Sequence, residues 1–318
     1  SGQRASIIER RMRRNVDRQD FSVHGFVSME DDSPDGIQCE KRINLGESSL
    51  VEYTLAHGID EIVVANDERR HNLPVDELFA CKIRGIEIID ILDFIERETG
   101  QIAVNLIYPS WVIYSSGFAS NNHLRNTLDW IFNAGMALVL LLFTWPFMFI
   151  TVLCMKITEG FNAPVFYKQE RVGLDGEPFN MIKFRSMRLD AEKHGAQMAS
   201  ENDNRITKIG YYLRKYRIDE LPQIWNVLHG NMGFVGPRPE RPQFVRSLIK
   251  NIPYYNERHN VKPGLTGWAQ LKYPYGATEV DSLEKLKYDL YYIKHRSFLL
   301  DLLILVRTVE IVLFGKGR

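Results

Sequence analysis

The pattern of apolar and polar residues divides the chain into an alternating N-terminal part and two long apolar segments. In residues 1–110 short apolar runs alternate with helical periods, which predicts strands at 21–29, 61–65 and 86–89 and helices at 5–15, 47–57 and 75–81. Strands separated by helices are typical of a parallel sheet covered by helices. We therefore predict an α/β, Rossmann-like domain that is incomplete, because the strand expected before its first helix is absent.

This first domain lacks the glycine fingerprint G-x-G-x-x-G of dinucleotide sites. A docking or regulatory role is therefore at least as well supported as nucleotide binding. Residues 111–128 are predicted to form a connector to the first apolar segment.

The first apolar segment, residues 130–155, contains no charged residue and is bounded by Asp129 and Lys156. Its length matches a bilayer span, for which about 20 apolar residues suffice. The alternative is a buried core helix, but the segment is apolar on all faces and longer than a typical core helix. We predict a membrane helix.

Pro146 lies near the middle of this segment and should kink it. Two topologies stay open: a kinked helix that spans the membrane, or one that dips in and returns. Arg125 precedes the segment, while Lys156, Lys168 and Arg171 follow it. Because basic residues favour the cytoplasmic side, both ends are expected there.

The second apolar segment, residues 298–314, is striped, because Asp301, Arg307, Thr308 and Glu310 interrupt it mostly on one side. That pattern predicts a helix that lies in the membrane interface. Tyrosines 288, 291 and 292 just upstream would suit headgroup depth.

Composition narrows the setting without identifying a partner. Acidic and basic residues balance at 40 each, so the net charge gives no sign of nucleic-acid binding, and we predict none. Cys39, Cys81 and Cys154 are too scattered for a metal site or a disulfide framework, which fits a reducing, cytosolic setting. The 318 residues allow two domains, each with its own core.

Two adjacent carboxylates, Asp219 and Glu220, lie between basic clusters downstream of the first apolar segment. Acidic pairs flanked by Arg and Lys beside a membrane element suggest phosphate chemistry on a lipid. The plainer alternative is that Asp219 caps a helix from Leu221 to about Leu228, with Pro222 tolerated in its first turn.

Three nearby cations are candidates for binding phosphate. Lys183 and Arg185 alternate with apolar residues, so on a strand both would point to one face and could hold a diphosphate; a solvated strand edge is the alternative. Arg238 lies between Pro237 and Pro239, which stiffen the loop and fix the direction of its guanidinium. The alternative, a plain turn with an exposed arginine, would not need this rigidity.

Taken together, these motifs resemble those of the bacterial polyprenyl-phosphate phosphoglycosyl transferases of the monotopic superfamily. The resemblance runs through most of the region from Pro164 to the C-terminus and rests on five motifs in the family's order: Lys183-Phe184-Arg185-Ser186-Met187, Leu213-Arg214, Asp219-Glu220-Leu221-Pro222-Gln223, Gly236-Pro237-Arg238-Pro239 and Lys262-Pro263-Gly264-Leu265-Thr266-Gly267-Trp268-Ala269-Gln270. The N-terminal domain resembles that of the large members, which initiate exopolysaccharide or O-antigen synthesis. Those members carry several N-terminal spanning helices, so we expect this chain to be truncated.

The resemblance implies transfer of a sugar 1-phosphate from a UDP-sugar to polyprenyl phosphate (undecaprenyl phosphate in bacteria), with release of UMP. It implies that Asp219 is the nucleophile, forming an aspartyl phosphosugar, and that Glu220 helps to bind Mg²⁺. A carboxylate that attacks a diphosphate faces repulsion, which metal and cations must neutralise. The expected substrate-binding cations are Lys183, Arg185, Arg214 and Arg238.

The resemblance further implies an architecture and a location. It predicts a re-entrant membrane helix over 129–157 broken near Pro146, then a mostly helical α+β catalytic domain over 158–318 on the cytoplasmic face of the inner membrane, with a homodimer as the assembly. Family members break the helix at Ser-Pro or a similar dipeptide. Here Trp145 precedes Pro146, and Thr144 could bond a carbonyl that the proline frees.

Two other function classes stay open: a catalytically idle membrane scaffold that binds nucleotide sugars, and a glycosyltransferase that releases UDP. The intact acidic pair disfavours the scaffold. No residue indicates which sugar is transferred. The histidines of the catalytic part show no ligand spacing, and we predict surface or structural roles for His194, His229, His259 and His295.

Overall fold

The structure is a computed structural model, and it describes residues 21–27, 42–45, 48–65, 73–107, 111, 115–118, 123–191, 203–273, 276 and 278–313. The chain divides into two units, Ser1–Ile113 and Tyr114–Arg318. The predicted helix at 5–15 and His194 lie outside the described residues.

The first unit alternates strands and helices: β1 (Phe26–Val27), β2 (Arg42–Ile43), α1 (Leu50–Ala56), β3 (Glu61–Val64), α2 (Val75–Ile83), β4 (Glu87–Asp90) and α3 (Ile91–Thr99), followed by a 3₁₀ turn at Val104–Leu106. Strands β1 and β2 pair in parallel, as do β3 and β4. The predicted alternation is present, although β2 and α3 were not predicted. The described strands form two pairs rather than one sheet, so the Rossmann-like assignment stays a prediction.

Local capping sets the helix bounds of this unit. Ser49 Oγ accepts from the Glu52 backbone N–H while the Glu52 carboxylate accepts from the Ser49 N–H, a capping box that starts α1. Asp90 caps α3, and Gly100 ends it in the left-handed conformation at φ 61°. Behind these caps, α1 and α2 bury one apolar cluster: Leu50, Leu78, Cys81 and Ile86.

The second unit begins with one long helix, α4 (His123–Glu159), of 37 residues. At 1.5 Å per residue it is about 55 Å long. By length and composition it could cross a membrane, and only 11% of its most apolar stretch is buried. Because most of its surface is exposed, α4 is not a buried core helix. The predicted long apolar helix is confirmed.

Helix α4 extends beyond the predicted 129–157 at both ends. It starts in the expected connector because Arg125 and Asp129 form an i,i+4 ion pair at 3.8 Å and Asn133 Nδ2 donates to the Asp129 carbonyl. Helix continues on both sides of Pro146, and the break and the re-entrant path remain predictions. Thr144 Oγ1 donates to the Leu140 carbonyl at 2.7 Å, two residues before the Leu142 carbonyl that Pro146 frees.

The remainder of the second unit is mostly helical, with short strands: β5 (Phe166–Val172), β6 (Pro178–Phe184), α5 (Lys208–Lys215), α6 (Ile224–Leu228), β7 (Gly233–Val235), α7 (Pro242–Asn251), β8 (Gly264–Thr266), α8 (Trp268–Lys272), α9 (Glu279–His295) and α10 (Phe298–Leu313). Three 3₁₀ segments interrupt these elements at Leu174–Gly176, Ile218–Gln223 and Tyr255–Asn260. Strands β5 and β6 form an antiparallel hairpin, and β7 pairs with β8 in parallel. One buried face of α4 joins the main core through Ala137, against Met181, Ile224, Val227, Met232 and Phe234.

The second apolar segment forms α10, as predicted, and two of its four polar residues, Asp301 and Thr308, face the protein. Thr308 Oγ1 lies 2.7 Å from Thr266 Oγ1, and Asp301 accepts a hydrogen bond from Tyr292. The exposed surface of α10 is largely apolar, with Leu299 76% exposed, but it also carries the ion pair of Arg307 with Glu310 at 2.8 Å. Tyr292 is only 2% exposed, so its predicted place at headgroup depth is wrong.

Two asparagines, the buried Asn226 and the half-buried Asn133, join the elements that carry the site. The Asn226 side chain accepts from the Ile182 N–H at 3.0 Å and donates to the Asn180 carbonyl at 2.8 Å, which fastens α6 to β6. Asn133 Oδ1 accepts from the Phe234 N–H at 2.7 Å, which fastens β7 to α4. Each bond satisfies backbone groups of a short strand that a neighbouring strand does not reach.

Candidate active site

The acidic pair lies in the first turn of the 3₁₀ segment Ile218–Gln223. The turn follows Arg217, whose φ of 56° is a left-handed conformation that non-glycine residues rarely adopt. Helix α6 begins only at Ile224, and no side chain caps either segment. The helix-capping explanation for Asp219 is therefore wrong. The strained conformation of Arg217 indicates that the acidic pair is held in place for a reason other than helix capping.

Glu220 is the centre of a cluster of cations. Its Oε1 atom lies 3.3 Å from Lys183 Nζ, 3.2 Å from Arg238 Nη2 and 3.9 Å from Arg217 Nη1. Burial acts to raise the pKa of Glu220, but Lys183, Arg238 and Arg217 together hold this pKa well below its ordinary value. Glu220 is therefore a fixed anion at neutral pH.

Lys183 reaches this cluster from β6. Its pKa is lowered by burial and by the nearby Arg238, while Glu220 acts to raise it. A carboxylate at 3.3 Å is the partner that a buried ammonium requires.

Asp219 has the opposite environment. It is 8% exposed, and its carboxylate accepts no hydrogen bond from the part of the chain that the structure describes. Burial and the neighbouring Glu220 raise its pKa, while Lys183, Arg214 and Arg217 act to lower it. Asp219 is thus a carboxylate beside cations but bound by none of them, which leaves its oxygens available for chemistry.

Arg214 and Ser186 support this side of the site. Arg214 projects from the last turn of α5, and its Nε donates to Ser186 Oγ at 2.9 Å. The predicted cations Lys183, Arg214 and Arg238 are thereby all brought to the acidic pair. Arg217 is a further cation that was not predicted to act there, although it directly precedes the pair in sequence.

Arg185 departs from the prediction. Strand β6 ends at Phe184, so the alternation that was expected to place Lys183 and Arg185 on one face does not reach Arg185. Its guanidinium forms an ion pair with Glu159, the last residue of α4, and Nε donates to the Pro164 carbonyl at 2.7 Å. Arg185 therefore ties the hairpin to the end of the long helix, and a role in substrate binding stays a prediction.

The glycines of two motifs have a shared physical cause. At Gly236 and Gly264 the neighbouring backbone lies too close to leave room for a Cβ atom. A Cβ on Gly236 would lie 2.3 Å from the Lys262 carbonyl oxygen, and one on Gly264 would lie 2.2 Å from the Gly236 nitrogen. This contact places the Pro237–Pro239 loop, and with it Arg238, beside Glu220.

The acidic pair also fits a divalent cation. Mg²⁺ sites usually use one or two carboxylates together with substrate phosphates. All three cation contacts to Glu220 use Oε1, so Oε2 remains available, as does the Asp219 carboxylate. Within the described residues no group of three or more His, Cys, Asp or Glu side chains could hold a metal ion.

The histidine predictions hold where the structure describes them. His259 is 7% exposed, and burial followed by Arg258 lowers its pKa to about 4, so it is a neutral structural residue. His229 and His295 are exposed, and their rings make tilted contacts with Trp225 and Tyr291.

A cavity of about 340 Å³ lies elsewhere in the second unit, lined by Asp129, Trp130, Lys262, Arg296 and Asp301 among others. The acidic pair does not line it. The candidate site is therefore identified by its charge geometry and not by the size of a cavity.

Comparison with known proteins places this geometry in a family. Residues 124–315 match the model of the family described as bacterial sugar transferase. The chain is 37% identical over 240 residues to the UDP-N-acetylgalactosamine-undecaprenyl-phosphate N-acetylgalactosaminephosphotransferase of Aeromonas hydrophila, covering 76% of this chain and 55% of that protein.

Two further relatives are named UDP-glucose:undecaprenyl-phosphate glucose-1-phosphate transferase. That of Xanthomonas campestris pv. campestris is 45% identical over 57% of this chain and 38% of its own length. That of Escherichia coli (strain K12) is 33% identical over 91% of this chain and 61% of its own length. The chain thus spans about half the length of these curated relatives. Because the matched region contains both the long helix and the whole acidic cluster, the chain belongs to the bacterial sugar transferase family.

Proposed function

We propose that the protein transfers a sugar 1-phosphate from a UDP-sugar to undecaprenyl phosphate, releases UMP and so initiates synthesis of a bacterial glycan such as an exopolysaccharide or O-antigen. The observation that carries the proposal is the acidic pair, in which Glu220 is bound by cations and Asp219 is not. The names of the relatives support the same acceptor.

In the first step an Asp219 carboxylate oxygen attacks the β-phosphorus of the UDP-sugar. A bond forms between this oxygen and phosphorus, and the bond from the β-phosphorus to the oxygen it shares with the α-phosphate breaks. UMP leaves with that oxygen, and the sugar phosphate stays on Asp219 as an acyl phosphate. Within the described part of the chain no group donates a hydrogen bond to the Asp219 carboxylate, which favours this role, because a nucleophile must present a lone pair.

In the second step a phosphate oxygen of undecaprenyl phosphate attacks the same phosphorus. The Asp219–phosphorus bond breaks, the carboxylate is restored, and undecaprenyl diphosphate sugar leaves. Each displacement is simpler than direct transfer between two large substrates, and the covalent intermediate implies ping-pong kinetics.

The cations of the site provide the electrostatic stabilisation. Four cations, Lys183, Arg214, Arg217 and Arg238, act on two carboxylates, so the site carries an excess of positive charge. A bound diphosphate would meet this excess, and charge that develops on the phosphoryl oxygens would be stabilised by groups already in place.

Glu220 is proposed to hold Mg²⁺ through Oε2 once the substrate phosphates are present. When bound, the ion would supply Lewis-acid polarisation of the phosphoryl oxygens. The ion pairs of Glu220 to Lys183 and Arg238 keep its carboxylate ionised and oriented for that purpose.

The proposed location is the inner membrane, with the catalytic unit on the cytoplasmic face and the protein acting as a homodimer. Helix α4 would enter the membrane as a re-entrant helix, and the exposed apolar face of α10 would lie in the interface. This arrangement brings a soluble nucleotide sugar and a lipid phosphate to one site.

The re-entrant path predicts that both ends of α4 are accessible from the same side. Single cysteines at Asn126 and Phe161, in a protein with Cys39, Cys81 and Cys154 replaced by alanine, should both react with a membrane-impermeant maleimide in inverted vesicles and neither in right-side-out vesicles. Labelling on opposite sides would show a spanning helix.

The reaction predicts which nucleotide leaves. Purified protein in nanodiscs, given a panel of UDP-sugars, should sustain UMP release only with undecaprenyl phosphate and Mg²⁺, for one or two sugars, and EDTA should stop it. Release of UDP would indicate transfer of the sugar alone. Binding of nucleotide sugars without release of any nucleotide would indicate a scaffold.

The nucleophile assignment predicts that Asp219→Asn lowers kcat by at least about a thousand-fold, because an amide cannot form the acyl phosphate. The variant should also lose the single UMP per protein that the wild type releases without lipid acceptor. Asp175→Asn, at an exposed turn, is the matched control and should keep wild-type activity. Near-normal turnover by Asp219→Asn would refute the assignment.

The raised pKa of Asp219 predicts the acid limb of the pH profile. Only the ionised carboxylate attacks, so kcat/KM should fall as the pH falls through a value above the ordinary aspartate range. Arg214 lowers this pKa, so Arg214→Met should move the limb to higher pH. Arg246→Met, on an exposed part of α7, should leave the limb in place. An unchanged limb in Arg214→Met would contradict the electrostatic role.

A further inference from the structure

The loop that carries Arg238 is held at every backbone carbonyl. From Pro237 to Glu240 each carbonyl oxygen accepts a hydrogen bond from another element: the Gly264 N–H bonds Pro237 at 3.0 Å, Arg258 Nη2 bonds Arg238 at 2.9 Å, Arg171 Nη1 bonds Pro239 at 2.8 Å, and the Val172 N–H bonds Glu240 at 3.0 Å. Two of the four donors are guanidinium groups. A surface turn does not need such complete fixation.

Arg258 is the more deeply buried of the two guanidinium donors, with a side chain 7% exposed against 15% for Arg171. Its Nη2 lies 2.8 Å from Asp289 Oδ2, and its Nη1 donates to Tyr255 Oη at 2.6 Å. Asp289 belongs to α9 and is itself 3% exposed. A buried guanidinium is tolerated only when it is paired, so Asp289 is what permits Arg258 to reach the Arg238 carbonyl.

We propose that Arg258, held by Asp289, is a positioning residue that sets the place of the Arg238 guanidinium at the acidic pair. Arg171, from the end of β5, supports the following carbonyl in the same way. The proposal rests on the proposed function, in which Arg238 meets the diphosphate of the donor.

The position of the Arg238 guanidinium depends on both ends of the side chain. Glu220 Oε1 holds the guanidinium end at 3.2 Å, but a bound diphosphate would compete for that guanidinium. The backbone end then decides where the charge lies, and Arg258 fixes this end without touching the substrate itself. Since a misplacement of about 1 Å can cost about a hundred-fold in rate, a rigid mount matters most in the transition state.

A double-mutant cycle separates this role from general stabilisation. In nanodiscs, with the UDP-sugar that supports turnover and saturating undecaprenyl phosphate, Arg238→Ala should lower kcat/KM by about 100-fold. Arg258→Met should lower it by about 10- to 100-fold, mainly through kcat. Because Arg258 acts through Arg238, adding Arg258→Met to Arg238→Ala should cost less than about threefold more. Losses that multiply, or an Arg258→Met protein within twofold of wild type, would overturn the proposal.

Two further variants serve as controls for effects on folding. Arg246→Met makes the same chemical change at an exposed site on α7 and should stay within twofold of wild type. If Arg258→Met fails to fold because Asp289 is left unpaired, Arg258→Met with Asp289→Asn removes both charges, and the cycle with Arg238→Ala is measured in that background. A wild type that releases no UMP refutes the proposed function and this inference with it. Multiplying losses in an active protein refute the inference alone.

Discussion

The contact of Glu220 with Lys183 and Arg238 is the interaction on which the site depends. It joins three pieces of chain that are distant in sequence: the end of strand β6, the 3₁₀ turn of the acidic pair and the loop after β7. Lys183 or Glu220 alone would be costly in so buried a place, and Glu220 is the partner that Lys183, Arg217 and Arg238 share. The geometry around Asp219 follows from this contact.

The remainder of the second unit holds these three pieces in register. Asn226 fastens the helix after the acidic pair to β6, so the turn and the strand cannot slide past each other. The close backbone approach of Gly236 and Gly264 sets the loop, and Arg185 ties the hairpin to the end of α4. Polar joints of this kind are directional, unlike apolar packing, and suit a site that must place charges to within a fraction of an ångström.

Residues that lie together in short motifs could be predicted from the sequence. Residues whose positions depend on partners distant in sequence could not. The acidic pair, Lys183, Arg214 and Arg238 could be found because charge, proline and spacing are visible in a few adjacent residues. Arg185 was misplaced because an alternating pattern does not show where a strand ends, and its partner Glu159 lies 26 residues earlier. The striped pattern of α10 predicted a helix, but the stripe alone could not show that Asp301 bonds Tyr292 and Thr308 bonds Thr266.

Arg258 and Asp289 show the same limit most clearly. Neither residue lies in a motif, and only the fold brings α9 against the 3₁₀ segment Tyr255–Asn260. A sequence pattern can identify a residue that meets a ligand, because such residues gather in short loops. A residue that acts through another residue's backbone carbonyl leaves no comparable pattern, since its only requirement is a long-range contact.

The two carboxylates of the pair illustrate how neighbours acquire different roles. They are adjacent in sequence and both lie near Lys183 and Arg217, yet their pKa values are moved in opposite directions. Direct ion pairs account for the difference. Glu220 forms such ion pairs, whereas the cations act on Asp219 only through longer-range electrostatic interactions. Carboxylates whose environments push their pKa values apart are suited to separate tasks. The one that is tied down organises charge, and the one that is left unbound is available to form a bond, which is the physical basis for proposing Asp219 rather than Glu220 as the nucleophile.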